Sequence, residues 1–395
     1  MVMLGTDMKI AETPKDGLKE FKKRDAYEEW LESEGVKVYE EYYFPNMMKV
    51  ELGPWERKGG KGAVIHIKNR HMPNDCHVVE IAPAGKSQPE HHMYELTIYI
   101  LSGRGATTIW QHDSKGNGNG NGTAKNTFEW QAGSLFSIPL NASYQNFNGS
   151  GTEPVRYMAV TNAPPMMRLY QDNDFIFGSD YAFASRYQGD EDYFSGNGKL
   201  YTRRVWESNF IFNAPDMKLY GWKERGAGGV NAMLEMASNN TKNHISEFPI
   251  GTYKKAHRHG PGAHLLLLSG TAGFSLVWTK EDRSDMIKAD WHVGSMVVVP
   301  NDNCTHQHFN SGTTRARYLA FRPGDMGLYS PRGGGGEFAD RSQKEGGWQV
   351  EYRDEDQEIH EIFEKELKKN GATCRMKAFI PWCTGEVGPT SERET

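Results

Sequence analysis

Two stretches of the chain, about 162 residues apart, say nearly the same thing, and self-similarity at such a spacing means two copies of one folding unit. Ser143–Val160 reads SYQNFNGSGTEPVRYMAV, and Thr305–Phe321 reads THQHFNSGTTRARYLAF. The frame Gln-x-Phe-Asn, a Gly-Thr turn and Arg-Tyr-x-Ala are common to both, while Tyr144 and Asn146 stand where His306 and His308 stand. Upstream, PAGKSQPEHHMYELTIYILSGRG from Pro83 matches PIGTYKKAHRHGPGAHLLLLSGTAG from Pro249, and FEWQAGSLFSIP from Phe128 matches ADWHVGSMVVVP from Ala289. One copy carries the donor groups of a site; the other keeps the frame without them.

Short β-branched or alternating runs (AVIHI, HVVEIAP, TIYIL, TTIW, SLFSIP, VRYMAV) separated by Gly, Pro and Asn turns predict an antiparallel all-β unit in each copy. The spacing of Leu18, Phe21, Tyr27, Trp30 and Leu31 predicts a helix from about Leu18 to a stop at Gly35, and IHEIFEKELKKNG predicts a second one ending at Gly371. The chain divides into an N-terminal helical segment (1–45), a first β unit (46–163), an aromatic-rich connection (164–229) expected to pack across both units, a second β unit (230–325) and a C-terminal extension with a helix (326–395). GNGNGNG at 116–122 and RGGGGE at 332–337 read as mobile tracts with no assigned role.

At 395 residues the chain is long enough for two cores, and 46 basic against 51 acidic side chains give a net charge of -5, which excludes an electrostatic footprint for nucleic acid or an anionic membrane. A small-molecule substrate is expected instead. No apolar run spans a bilayer and the first residues lack a secretory core, so a soluble, cytoplasmic protein is expected. Cys76, Cys304, Cys374 and Cys383 form no CxxC pair and are expected as reduced thiols. Cys304, two residues before His306, is a potential ligand or redox partner, but the preferred reading is a small buried hydrophobe.

Side chains at i and i+2 of a strand share a face, so His257 and His259 point together, as do His306 and His308. Four imidazoles converging inside one barrel define a site for a divalent transition metal, and Fe(II), Mn(II), Ni(II), Cu(II) and Zn(II) all accept imidazole.

These residues resemble the cupin superfamily. Gly251, His257, His259 and Gly270 match its first motif, and Gly294, Pro300, His306 and Asn310 match its second with one extra residue before the histidine. The resemblance covers both copies and implies a bicupin: tandem jelly-roll β-barrels with N- and C-terminal helices. The acidic ligand of the first motif is absent, which is similar to the gentisate dioxygenase group; KKAHRHGPGAHLLLLSG and the segment GGWQVEYRDEDQEIHEIFEKELKKNGA also look like those of bacterial two-cupin proteins. The gentisate-like resemblance implies His257, His259 and His306 as ligands, His308 as a catalytic or substrate-contacting group, and Fe(II) as the ion. His264, at the spacing allowed for the missing glutamate, is a competing ligand. Arg315, Arg317 and Arg322 are candidates for holding a substrate carboxylate, although Arg156 matches Arg317 in the other copy and points to a fold role. In the first copy His91 and His92 project to opposite faces and Glu95 lies nearby; a structural domain without metal is the expected role.

The implied function is oxidative cleavage of a small oxygen-bearing, possibly aromatic, substrate by an Fe(II) dioxygenase. Alternatives are a Mn- or Zn-dependent hydrolase, lyase or isomerase, and a non-enzymatic small-molecule-binding cupin. Cupin sheets commonly extend across a dimer interface, so a homodimer or larger assembly is expected.

Overall fold

The computed structural model describes residues 23–67, 73–111, 125–258, 262–300, 304–323 and 340–387. The tracts at 116–122 and 332–337, and His259, lie outside them. The first barrel uses β1 (Gly60–His66), β2 (Asp75–Ile81), β3 (Leu96–Ser102), β4 (Arg104–Trp110), β5 (Asn126–Gln131), β6 (Leu135–Ile138), β7 (Ser143–Asn148) and β8 (Val155–Thr161). The second uses β9 (Val230–Glu235), β10 (Lys242–Phe248), β11 (Ala263–Ser269), β12 (Phe274–Trp278), β13 (Ile287–Asp290), β14 (Met296–Val299), β15 (Thr305–Asn310) and β16 (Ala316–Arg322). The strand order β1-β2-β8-β3-β6 in one sheet and β7-β4-β5 in the other recurs as β9-β10-β16-β11-β14 and β15-β12-β13. Each barrel is therefore a pair of packed antiparallel sheets in jelly-roll order.

The duplication reaches down to irregularities. A register shift between Arg156 and Tyr157 in the β8–β3 pairing recurs between Leu267 and Ser269 where β11 meets β16. Asn148 Nδ2 donates to the carbonyls of Ile81, Ala82 and Glu153, as Asn310 Nδ2 does to Phe248, Pro249 and Thr314. Trp130 and Trp291 each lie across a glycine, Gly105 and Gly273, where an added Cβ would fall within 2.5 Å of the indole.

The two large sheets face each other. Ala63, Ile65, Val78, Met158 and Val160 of the first pack with Leu234, Ile245, Leu266, Val298 and Phe321 of the second in one shared core. Alternate residues on these strands fill the barrel interiors, so both faces are dry and the strands read as continuous apolar runs.

Short arms are exchanged between the barrels. Tyr43–Phe44, far upstream of the second barrel, pairs with Met296–Val297, while Phe210–Ile211 pairs with Leu135–Phe136 of the first. Behind each arm lies a 3-10 turn, Met47–Lys49 or Ala214–Asp216. Arg156 clamps the first turn through the carbonyls of Met47 and Met48, and Arg317 clamps the second through those of Ala214 and Met217. Each arginine is also bridged to a glutamate, Glu80 or Glu247. The repeat thus begins well before the stretch in which the sequence shows it, and Trp55 and Lys58 correspond to Trp222 and Arg225.

The N-terminal helix spans Ala26–Glu34, starting later than its spacing suggested because the Asp25 carboxylate caps the amides of Tyr27 and Glu28; residues 18–22 lie outside the description. It buries Tyr27, Trp30 and Leu31 against the first barrel. The aromatic connection packs on that barrel through Ile176, Tyr187 and Phe194, and its Trp206 packs on the shared core. The C-terminal helix, Gln357–Asn370, ends at Gly371 with φ 68° and lays Ile359, Phe363 and Leu367 on the outer wall of the second barrel beside Phe274 and Phe309. Among the described residues no helix is long and apolar enough to cross a membrane.

Candidate metal centre

His257 and His306 are paired across the short strand His257–Arg258 and β15, with ring centroids 4.3 Å apart. His308, two residues along β15, has its ring 5.3 Å from His306 and 6.3 Å from His257. All three are buried. His257 Nδ1 lies 3.0 Å from the Lys255 carbonyl and His306 Nδ1 lies 3.2 Å from the Cys304 carbonyl. A carbonyl only accepts, so both Nδ1 atoms carry the proton and both Nε2 atoms keep a lone pair, the form that ligates metal. Burial, with nearby cationic groups adding, pushes His306 down to about 3 and His308 well below the usual imidazole range. These rings are neutral at pH 7.

A small cavity opens beside them. Its walls add groups the histidine motif did not reveal: His244 on β10, Tyr318 and Arg322 on β16, and Lys254, Trp222 and Arg225 from loops. His244 Nδ1 is buried with no hydrogen-bond partner among the described residues. Lys254 Nζ lies 3.1 Å from Tyr318 Oη and over the rings of Trp222 and Phe248. Burial pushes its amine well below the usual lysine range, and the charge of Arg225 adds to the shift. Residues of the C-terminal extension pair back onto the lining: Gln349 bridges to His257 and Asp340 forms an ion pair with Arg225 at 2.9 Å.

His264 is a correction to the sequence reading. Its neighbours Ala263 and Leu265 line the cavity, so strand alternation turns His264 outward. There it opposes Val298 and Phe321 of the shared core, with Nε2 3.3 Å from the carbonyl of Ile65 in the first barrel. It does not join His257 and His306. Of the three candidate arginines, Arg322 lines the cavity, while Arg315 and Arg317 pair with Glu247 outside it. Cys304 directs its thiol to the Trp278 carbonyl.

In the first barrel the equivalent volume is filled. Glu90 pairs with Tyr144 as His257 pairs with His306, and the Lys58 ammonium lies 2.7 Å from the Glu90 carboxylate with both side chains buried. Tyr144 donates to Glu90 at 3.3 Å and lies 3.4 Å from His92 Nε2, while the His92 ring stacks on Tyr94 at 3.6 Å. His91 instead contacts the Asn141 side chain. Glu95 leaves the barrel altogether and accepts from the backbone amides of Asn240 and Thr241, bolting the two units together.

No family model matches the sequence, and no curated protein matches it. Among solved structures the chain is similar to the Lactobacillus farciminis oxalate decarboxylase formate complex, at 12% identity and TM-score 0.45 over 72% of this chain and 87% of that one. It is also similar to Momordica charantia 7S globulin, at 14% identity and TM-score 0.43 over 71% and 83%, and to Corylus avellana vicilin, at 13% and 0.44 over 72% and 86%. An oxalate decarboxylase, a 7S globulin and a vicilin at that distance give no argument about activity. The strand order and the duplicated frame of the chain itself define tandem jelly-roll barrels.

Proposed function

We propose that the second barrel holds one divalent transition ion, Fe(II), and oxidises a small carboxylate-bearing substrate with dioxygen. The observation that carries this reading is the meeting of proton-tied imidazoles, His257 and His306, with Arg225, Arg322 and Lys254 around one small cavity. His259 would complete a three-histidine set. When bound, such an ion supplies an inner sphere with positions open to substrate oxygen and to dioxygen. The outward turn of His264 favours this low protein-ligand number.

Arg322 offers the charge that holds a carboxylate, Arg225 being already paired with Asp340, and an arriving anion restores the charge of Lys254. The Trp222 indole gives the substrate an apolar face. His308 has a different environment from the other two rings. Ser275 Oγ accepts from the Trp291 indole at 2.9 Å and lies 2.8 Å from His308 Nδ1, as Thr107 accepts from Trp130 and donates to Asn146 in the first barrel. With the same orientation, the Ser275 hydroxyl donates to Nδ1 and the proton of His308 sits on Nε2, facing the cavity. His308 is then a hydrogen-bond donor to a developing oxyanion and not a ligand. Both atoms of dioxygen enter the product, so no external reductant is required.

The amine of Lys254 next to the Tyr318 hydroxyl supports a second reading, proton transfer with Mn(II) or Zn(II) as Lewis acid in a lyase or isomerase. Oxygen uptake by the Fe(II)-loaded chain, screened over small hydroxy-, keto- and dihydroxyaromatic carboxylates, separates the two. Substrate-dependent uptake, matched one-to-one by product, is expected. Turnover that proceeds without oxygen and with Mn(II) or Zn(II) would install the second reading.

A further inference from the structure

Outside the barrel, on the wall behind β15, we infer a second metal site of structural zinc type, built from His360, Glu364, Cys374 and Cys383. The four donor atoms lie within 4.8 Å of one another. His360 and Glu364 are one turn apart on the C-terminal helix and so share a face, with Nε2 3.2 Å from the carboxylate. Cys374 and Cys383 end a loop that folds back on the helix; the Cys374 sulfur lies 3.9 Å from His360 Nε2 and 3.4 Å from the Cys383 sulfur. Around a tetrahedral zinc the usual bond lengths give nitrogen–oxygen edges of about 3.3 Å and edges to sulfur of roughly 3.6 to 3.8 Å. The His360–Glu364, His360–Cys374 and Cys374–Cys383 edges stand within a few tenths of an ångström of those figures, and the remaining edges, at no more than 4.8 Å, close onto an ion by a small side-chain adjustment. A disulfide would need the sulfurs at about 2.05 Å.

The surroundings orient the donors. Tyr253 donates to Glu355 at 2.6 Å, so His360 Nδ1, 3.1 Å from the same hydroxyl, is the donor of that contact, and Nε2 is the ring nitrogen turned toward Glu364 and the sulfurs. The Gly385 amide donates to the Cys383 sulfur at 3.4 Å, a contact suited to a thiolate. Gly385 lies so close that a Cβ there would come within 2.5 Å of the Cys374 carbonyl oxygen, and the Glu386 amide closes the loop onto that same carbonyl. Cys374, Cys383 and His360 are all buried.

The physical need is plain. Past Gly371 the described chain has neither strand nor helix, and such a lobe has little to fix it apart from a few apolar side chains and a staple. The same Tyr253–Glu355 pair continues to Gln307, whose amide donates to Glu355 at 2.6 Å and which lies between His306 and His308 on β15. The staple therefore anchors the C-terminal lobe on the strand that carries the barrel histidines.

The test uses the full chain with Zn(II) or Co(II) as the only added probe. His257→Ala/His306→Ala protein should retain one zinc per chain after dialysis. Cobalt-substituted protein, wild type or that variant, should show a sulfur-to-cobalt charge-transfer band, since the barrel histidines supply no thiolate. Cys304→Ser should keep the band and Cys374→Ser/Cys383→Ser should lose it. Should that last variant misfold, zinc protection of two of the four wild-type thiols against a thiol reagent reads the same site. Absence of the band in wild-type protein, or a mass two hydrogens short from a Cys374–Cys383 disulfide in the protein as purified, overturns the inference. Neither result bears on oxygen uptake at the barrel, so the two sites stand or fall separately.

Discussion

The two barrels have the same strands, the same bulge, the same asparagine clamp and the same indole-to-hydroxyl contact, and they differ in what stands at the centre. In the first, Lys58, Glu90 and Tyr144 supply cation, anion and hydroxyl from the chain itself. In the second, the corresponding places hold Arg225, His257 and His306, and two neutral nitrogens with lone pairs face a cavity. A buried charge is tolerated only when paired, and the first barrel pairs its own. The second pairs its cation away from the centre, Arg225 with Asp340, and leaves imidazole nitrogens at the cavity. One scaffold therefore serves as a closed structural unit in one copy and as a ligand site in the other, through a handful of interior side chains.

The sharpest way to break that comparison is to strip the donors from each copy. His257→Ala and His306→Ala should each abolish the barrel's metal equivalent and all turnover, whereas His91→Ala/His92→Ala should leave both; elemental analysis at equal protein concentration reads the outcome. Metal loss from the N-terminal variant would mean that the filled barrel is not silent. Next in size is Lys58→Met, which leaves the Glu90 carboxylate buried without its partner and should cost about 3–5 kcal/mol in urea denaturation. Lys58→Met/Glu90→Leu should recover most of that. If the single variant is as stable as wild type, the first barrel does not depend on its internal ion pair.

Much of this was legible in the chain. The duplication gave the paired barrels, strand periodicity placed His257, His306 and His308 on one interior, and Gly371 marked the helix end. His244 was not legible, because an isolated histidine in NHISEF carries no H-x-H signature and its cavity-facing position emerges only when β10 pairs with β16. The exchanged arms were hidden for a related reason: pairing Tyr43 with Val297 is set by which sheet edges are open, and two-residue strands leave no period. Likewise, Lys58 and Arg225 match only once those arms are aligned. His264 was misplaced because motif spacing was followed where the alternation of its own strand, with Ala263 and Leu265 inward, should decide.

Glu355 sharpens the comparison through pH. Burial raises its carboxyl to about 7, against hydrogen bonds from Tyr253 and Gln307 that pull it down. Below about pH 4.5 the group is protonated folded and unfolded alike; between about 4.5 and 7 the unfolded chain alone sheds the proton, so its stabilising contribution falls as pH rises and is gone above 7. The whole change is roughly 3 kcal/mol. The buried histidines act in the opposite sense: His306, at about 3 when folded, contributes stability above about pH 6.5 that is lost as pH falls toward 3. Denaturation of wild type against Glu355→Gln across pH 4 to 8 isolates the glutamate, and the variant's relative stability should climb through the window and then level off. A flat difference would show that Glu355 stays ionised, and with it that the wall behind β15 is wetter than the second barrel's interior.

The smallest expected effect is at His264, and it tests whether the site belongs to the barrel interior at all. His264→Leu removes a long hydrogen bond to the Ile65 carbonyl and, with it, a buried Nδ1 that has no hydrogen-bond partner among the described residues. The two changes oppose each other, since a neutral hydrogen bond contributes about 1 kcal/mol while an unsatisfied buried polar atom costs a similar amount. Leucine is also close to what the surrounding Leu266, Val298 and Phe321 already provide. Stability should therefore move by no more than about 1 kcal/mol, and the barrel's metal and turnover should be unchanged. Strand alternation makes the second expectation strict: a side chain on the outer face of β11 cannot reach a cavity lined by Ala263 and Leu265 without a register slip that would turn both into the shared core. Loss of metal from His264→Leu with folding intact would mean that the ligand set lies between the barrels, and the contrast between a filled and an open interior would have to be given up.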